Sequence, residues 1–353
     1  MKKGGNMSYK GISDFRSDTV TRPTEEMLKA MYNAEVGDDV HGDDPTVNQL
    51  EELAAEKVGK EAALFVASGT MGNTIAMVLG AGEGKEVILE ERCHILNFEA
   101  GNISRIAHAV PRALPSNRGK IPLDVIEQNI HTFLREHMTQ TKAITLENTH
   151  NIWGGAVLGL DYIEDVAALA RKYNLYMHLD GARIFNASVA LKIDVKEISK
   201  YFDSLMFCLS KGLSAPIGSI LTGSREFIKE ARFVRKYLGG GMRQVGVIAA
   251  AGIVAIKKMI HRLEQDHKRA RQLVEKIADI KEIEVNAEEV ETNMVMVKLK
   301  GGDIDSDTFL KKLAAQKVLA LPLNAKVIRI VTHKDIDDND IERAAEAIRK
   351  VFL

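Results

Sequence analysis

The chain has 353 residues, 45% hydrophobic and 27% charged, with a formal net charge of −1. That composition suits a soluble globular protein of one large or two medium domains, and it gives no electrostatic case for nucleic acid or an anionic membrane as partner. Only Cys93 and Cys208 are present, which argues against a disulfide framework and for a reducing cytoplasm, and no apolar run reaches the ~18 residues of a membrane span.

In chain order, MKKGGNMSYKG is basic but leads into no apolar signal-peptide core, so residues 1–13 are expected to be a flexible extension. Buried strands are then expected at 61–68 (EAALFVAS), 86–91, 108–114, 142–147, 175–180, 203–210 and 218–223. Helical spacing separates them at 70–81, 98–106, 122–134 and 161–174. Short apolar runs alternating with helices predict an α/β domain over 14–260, with a mostly parallel sheet covered on both faces. An amphipathic helix follows, ending in the glycines of LGGG, and then an Ala-rich helix over 244–260, read as buried or as a subunit contact. A charged helix leads into IEVN, TNMVMVKL and VIRIVTH, with helices at 306–316 and at the C-terminus, which predicts a small α+β domain over 261–353.

Ligands of open α/β sheets bind at the carboxyl ends of the strands. Three polar groups are expected there: Asp180 ends LYMHLD, Lys211 follows MFCLS, and Ser68-Gly69-Thr70 follows LFVA and opens a helix. Free N–H groups at a helix start suit a phosphate. Each signal alone has an ordinary reading, as N-cap, turn residue or solvated lysine. Together they match the needs of pyridoxal 5'-phosphate, in which lysine forms a Schiff base, aspartate pairs with the pyridine nitrogen, and the ring withdraws electrons from the substrate Cα.

The chain resembles the threonine aldolases, within the aspartate-aminotransferase-like fold of pyridoxal-phosphate enzymes. The resemblance runs from about Asp14 to the C-terminus through DFRSDTVTRPTEEM, VGDDVHGDDPTVNQLE, ALFVASGTMGN, ENTHN, HLDGARIFNA, FCLSKGL, LGGGMRQ and IRIVTH. It implies fold type I, with a mostly parallel seven-stranded sheet in the large domain and a small C-terminal α+β domain. It implies Lys211 as the Schiff-base lysine, Asp180 at the ring nitrogen, Gly69 and Thr70, beside Ser68, at the phosphate, and Arg243 reaching a neighbouring subunit's phosphate. Ser17, Arg183 and Arg329 would hold the substrate carboxylate, a task that suits the planar guanidinium. His94 would lie over the ring, His137 would stand near the substrate hydroxyl, and His150 could also line the site.

Two departures leave substrate preference open. The resemblance would put His41 near the substrate pocket, where the family commonly has tyrosine, and Leu96, Asn97 and Phe98 follow the histidine that would stack on the ring. Asp38, Asp39, Asp43 and Asp44 look like a metal cluster but are read as solvated caps, with no metal expected. The implied activity is cleavage of threonine or allo-threonine to glycine and acetaldehyde. The base is left open between His94, His137 and a water held between them. β-Elimination, transamination or racemisation on the same cofactor, and a non-catalytic cofactor-binding protein, are the alternatives. A small amino acid as partner and a homo-oligomer, a dimer of dimers with the site at the interface, complete the expectation.

Overall fold

The structure is a computed structural model and describes residues 11–132, 135–302 and 304–353. Residues 1–10 of the expected extension lie outside them. The described residues form two compact units, Thr21–Glu264 and the segment up to Val20 together with Gln265–Leu353.

The larger unit is built on a seven-stranded sheet. Its spatial order is Ala62–Val66, Ser219–Gly223, Ser204–Cys208, Tyr176–Asp180, Thr141–Glu147, Glu86–Glu90 and Val110–Leu114. Six strands run parallel, and Ser219–Gly223 runs antiparallel to both its neighbours. Successive strand residues point to opposite faces, so a strand covered on both sides reads as a continuous apolar run. The strand Ala62–Val66 shows the division: Phe65 enters one core, and Leu64 and Val66 enter the other. The second of these cores is closed by the helix Gly69–Gly80, through Ile75, Ala76 and Met77.

Four local expectations change. The helix expected over 98–106 is only the four-residue turn Asn102–Arg105, with another turn, His94–Asn97, ahead of it, because Ala100 and Gly101 take φ of 54° and 74° and interrupt the right-handed path. The helix expected over 122–134 covers only Leu123–Gln128, closing at Asn129, whose side-chain amide donates back to the Val125 carbonyl; residues 133 and 134 are outside the described set. The Ala-rich segment is α-helical over Gly246–Val254 and continues as a wider π turn over Ala255–Met259. It packs against the helices Glu25–Tyr32 and Pro45–Val58. Those two helices escape the strand-centred reading, although Thr24 and Asp44 cap their starts and Gly59, at φ 71°, closes the second.

The smaller unit carries an antiparallel sheet ordered Leu321–Asn324, Val327–Val331, Met294–Leu299, Ile283–Glu284, with helices Ser306–Ala315 and Asp338–Val351. Residues 11–20 belong here and not with the segment that follows them. Ser13–Asp14 pairs in parallel with Val318–Leu319, Phe15 accepts from the Val331 N–H, and the Phe15 ring is fully buried in this unit's core. The division after Glu264 falls four residues beyond the expected one, inside the helix Leu263–Ile277, whose Ala270, Leu273, Val274 and Ile277 enter the same core.

Candidate active site

At the carboxyl ends of the parallel strands a pocket of about 360 Å³ is lined by Ser68, Gly69, Thr70, His94, Asp180 and Lys211 among others. The helix Gly69–Gly80 begins at its wall, with Ser68 Oγ accepting from the Met71 N–H at 3.2 Å. Glycine brings this helix close to the Ser204–Cys208 strand. A Cβ on Gly69 would lie 3.0 Å from Cys208 Sγ, and one on Gly72 would lie 2.7 Å from Met206 Cγ. The first N–H groups of the helix have no intrahelical acceptor and suit an anion.

Asp180, 2% exposed, is fixed at both oxygens: Oδ1 accepts from the Ala182 N–H at 3.1 Å and Oδ2 from Asn73 Nδ2 at 2.9 Å. Asn73 Nδ2 also donates to Glu99 Oε1 at 2.8 Å, and Asn73 Oδ1 lies 3.0 Å from His178 Nε2. An amide oxygen only accepts, so His178 carries its proton on Nε2 and its Nδ1 accepts from Ser204 Oγ at 2.7 Å. Burial pushes the His178 imidazole down to about 4, which keeps it neutral.

His94 donates its backbone N–H to Glu147 Oε2 at 2.7 Å, and its Nδ1 lies 2.9 Å from Glu99 Oε1. Burial by itself would lower this imidazole, but the bond to Glu99 and the charge of Asp180 outweigh it and raise it above the usual histidine range. Burial raises the Glu99 carboxyl too. His94, Glu99 and Asp180 offer ligand atoms within 4.8 Å of one another, but the Asn73 amide donates to both carboxylates and uses lone pairs that a cation would need.

Lys211 follows the neighbouring strand and is half-buried. Its carbonyl accepts from Thr21 Oγ1 at 3.0 Å and from the Ser214 N–H at 2.8 Å, which folds the loop back on itself. Among the described residues its ammonium has no hydrogen-bond or ion-pair partner.

The pocket thus gathers six of the anticipated residues. Arg183 is buried beside the same strand end, with Nη1 3.5 Å from Asn151 Oδ1, but it is not among the pocket-lining residues. His150 is 1% exposed and is not among the pocket-lining residues, with Nε2 2.9 Å from Glu90. Burial opposes its protonation, but the Glu147 charge and the Glu90 bond outweigh that and raise it.

Within the chain His137 is not brought to the pocket. It is exposed in a turn before the amino end of the Thr141–Glu147 strand, and seven strand residues, about 20 Å, separate that edge from the carboxyl ends. His41 is exposed at a separate recess of about 420 Å³ with Phe233 and Lys236. Arg243 is exposed and paired with Asp38 at 2.8 Å. Ser17 and Arg329 belong to the smaller unit and are 7% and 8% exposed.

In the acidic stretch Asp44 is a helix cap as expected and Asp43 is exposed, but Asp39 and Asp44 are buried and not solvated. Asp39 is 3% exposed and pairs with buried Arg235 at 2.8 Å, while Asp44, fully buried, accepts from Thr46, Val47 and Gly246 N–H groups. Burial is tolerated at Asp44 because three N–H groups donate to it, and at Asp39 because a buried guanidinium lies against it.

Asn73 and Glu99 are the pocket residues that sequence reasoning missed. Asn73 stands in the ASGTMGN stretch, one helical turn beyond Thr70, which is a usable signal. Glu99 lies beyond an irregular turn and has no periodic signal.

A family model described as beta-eliminating lyase matches residues 14–300. The chain is 46% identical over 343 residues to a probable low-specificity L-threonine aldolase 2 of Arabidopsis thaliana, covering 96% of this chain and 97% of the relative. It is 42% identical over 334 residues to a low specificity L-threonine aldolase of Escherichia coli strain K12, covering 94% and 97%. Among solved structures, a putative L-allo-threonine aldolase of Listeria monocytogenes superimposes with a TM-score of 0.81 at 20% identity, covering 97% of both chains. A serine palmitoyltransferase of Sphingomonas wittichii gives 0.75 at 16% identity, covering 96% of this chain and 86% of that one. At these identities the structural likeness shows a common fold.

Proposed function

The chain belongs to the beta-eliminating lyase family, and within it to the low-specificity threonine aldolases; from that premise we propose that it cleaves L-threonine and L-allo-threonine to glycine and acetaldehyde. Its fold is fold type I of the pyridoxal-phosphate enzymes, and fold and family together imply pyridoxal 5'-phosphate as cofactor. The observation that carries the reading is the Lys211 amine, unpartnered among the described residues, in one pocket with a buried carboxylate and a helix N-terminus. That donor set fits an aldehyde, a pyridine nitrogen and a phosphate.

In this reading Lys211 would be the covalent anchor, Asp180 would hold the ring nitrogen, His94 would lie over the ring, and the N–H groups of Gly69 and Thr70, with Ser68, would hold the phosphate. Bound there, the cofactor supplies an electron sink for bond cleavage at the substrate Cα. Arg183 would hold the substrate carboxylate and so orient the Cα–Cβ bond, a positioning contribution. His94 Nε2 would take the β-hydroxyl proton, which lets Cα–Cβ break and acetaldehyde leave. Its place in the pocket lining favours it over His137.

We further propose a cytoplasmic dimer of dimers that breaks down threonine and forms glycine, with Arg243 reaching a neighbouring subunit's phosphate. The exposure of Arg243 and the two free cysteines are consistent with this. No helix among the described residues is long and apolar enough to cross a membrane. A fully active monomer on gel filtration would reject the shared site.

The test is incubation with L-threonine, L-allo-threonine and L-serine, with acetaldehyde measured separately from pyruvate and ammonia. Acetaldehyde with equimolar glycine supports the reading, and pyruvate with ammonia would assign β-elimination instead.

A further inference from the structure

We propose that Glu99 is a positioning residue that holds His94 in the Nδ1–H form and so leaves Nε2 as the nitrogen offered to the substrate hydroxyl. The proposal rests on the aldolase reading and adds to it a residue outside the expected set.

Geometry carries it. Glu99 Oε1 lies 2.9 Å from His94 Nδ1, and the Glu99 side chain is 1% exposed against 30% for the His94 ring. Both line the pocket, the ring is the more open of the two, and the carboxylate is the buried support against it. Glu99 is itself fixed, because Oε1 also accepts from Asn73 Nδ2 at 2.8 Å. Asn73 has no freedom to flip. Its oxygen is taken by His178 Nε2 and its nitrogen by Glu99 and Asp180. An ionised carboxylate only accepts, so the proton between the pair sits on His94 Nδ1. No partner of His94 Nε2 is found among the described residues.

The consequence is chemical. A neutral imidazole has one proton and one lone pair, and its second bond decides which nitrogen has which. With Nδ1–H on Glu99, the lone pair is on Nε2, where a proton from the β-hydroxyl can be accepted. The proton then rests on Nε2, the imidazolium is stabilised by the carboxylate behind it, and it can be returned from the same atom. The charged and titratable groups around His94 are Glu99, Glu147, Asp180 and the adjacent Cys93, with Lys211 lining the same pocket. Among the described residues Glu99 alone is hydrogen-bonded to the ring.

The experiment uses the full-length holoenzyme labelled with 15N-histidine, as wild type, Glu99→Leu, Glu99→Asp and His94→Asn. The last variant assigns the His94 signals. In wild type, His94 shows the Nδ1–H form when neutral and takes its second proton at a higher pH than a free histidine. In Glu99→Leu, which has no acceptor for the ring, that pH falls and the Nδ1–H preference is lost. kcat for acetaldehyde release falls by about 10²- to 10⁴-fold, with KM changed by less than about threefold. Glu99→Asp restores part of both. Unchanged His94 signals in Glu99→Leu overturn the proposal, and so does lost activity with the wild-type tautomer retained, since Glu99 would then be only structural. If wild type releases no acetaldehyde the aldolase reading fails, while the nitrogen signals still report whether Glu99 sets the tautomer.

Discussion

Glu99 and Asp180 accept hydrogen bonds from the same atom, Asn73 Nδ2, at 2.8 and 2.9 Å. One side-chain amide thus fixes the carboxylate proposed for the cofactor ring and the carboxylate behind His94. A third partner, His178, holds the amide oxygen, so its orientation is determined from both ends.

Asn73→Ala removes the donor between two buried carboxylates and leaves His178 Nε2 without its acceptor. A buried polar group left unpaired costs about 1–3 kcal/mol. The variant is expected to lose about 2–4 kcal/mol of stability, because more than one group is stranded. Urea unfolding measures this, and a change below about 0.5 kcal/mol would contradict the buried network.

Gly72→Ala places a methyl group 2.7 Å from Met206 Cγ. Overpacking of this kind costs about 1–3 kcal/mol and moves the helix start away from the strand. Reduced stability is expected together with weaker cofactor retention, followed by dialysis and absorbance. A variant with wild-type stability and retention would show that the close approach is not needed.

His178 gives a pH signature. Its folded value of about 4 lies below the ordinary 6.5, so the fold favours the neutral form. The unfolded chain binds the proton more readily, and stability present above pH 6.5 is lost as pH falls towards 4. At about 1.4 kcal/mol per unit, the loss reaches about 3 kcal/mol. His178→Asn removes this slope, so unfolding free energies of the two proteins are expected to converge as pH falls from 6.5 to 4. Parallel curves would contradict a neutral buried His178. His94 and His150 are shifted upward and contribute the opposite slope to both proteins, so they cancel in the difference.

Arg329→Ala tests the substrate-carboxylate role that the resemblance implies. The variant is expected to keep the cofactor absorbance and to raise KM for threonine by at least tenfold, the loss of about 1.4 kcal/mol of binding. An unchanged KM would remove Arg329 from the substrate set.

The sheet was legible because its strands are short apolar runs between turn residues. Asp180, Lys211 and Ser68-Gly69-Thr70 were legible because strand ends are where such sheets bind ligands. Turn conformation was not legible. Ala100 and Gly101 adopt left-handed backbone and cut short an expected helix, and Glu99, just ahead of them, is hydrogen-bonded to the His94 ring. Lone polar residues were the weakest signal. His137 has the residue type of a catalytic base but lies at the amino edge of the sheet, whereas Asn73 has no catalytic type and holds the pocket's carboxylates. Burial of Asp39 and Asp44 was not legible either, because Arg235 beside the first and the Gly246 N–H on the second come from distant parts of the sequence.

Borohydride reduction of the holoenzyme followed by peptide mass mapping tests the central claim most directly. A pyridoxyl-phosphate adduct is expected on the peptide that contains Lys211, absent in Lys211→Ala together with the visible absorbance and turnover. An unmodified Lys211 in an active, cofactor-loaded enzyme, or an adduct on a different lysine, would contradict it.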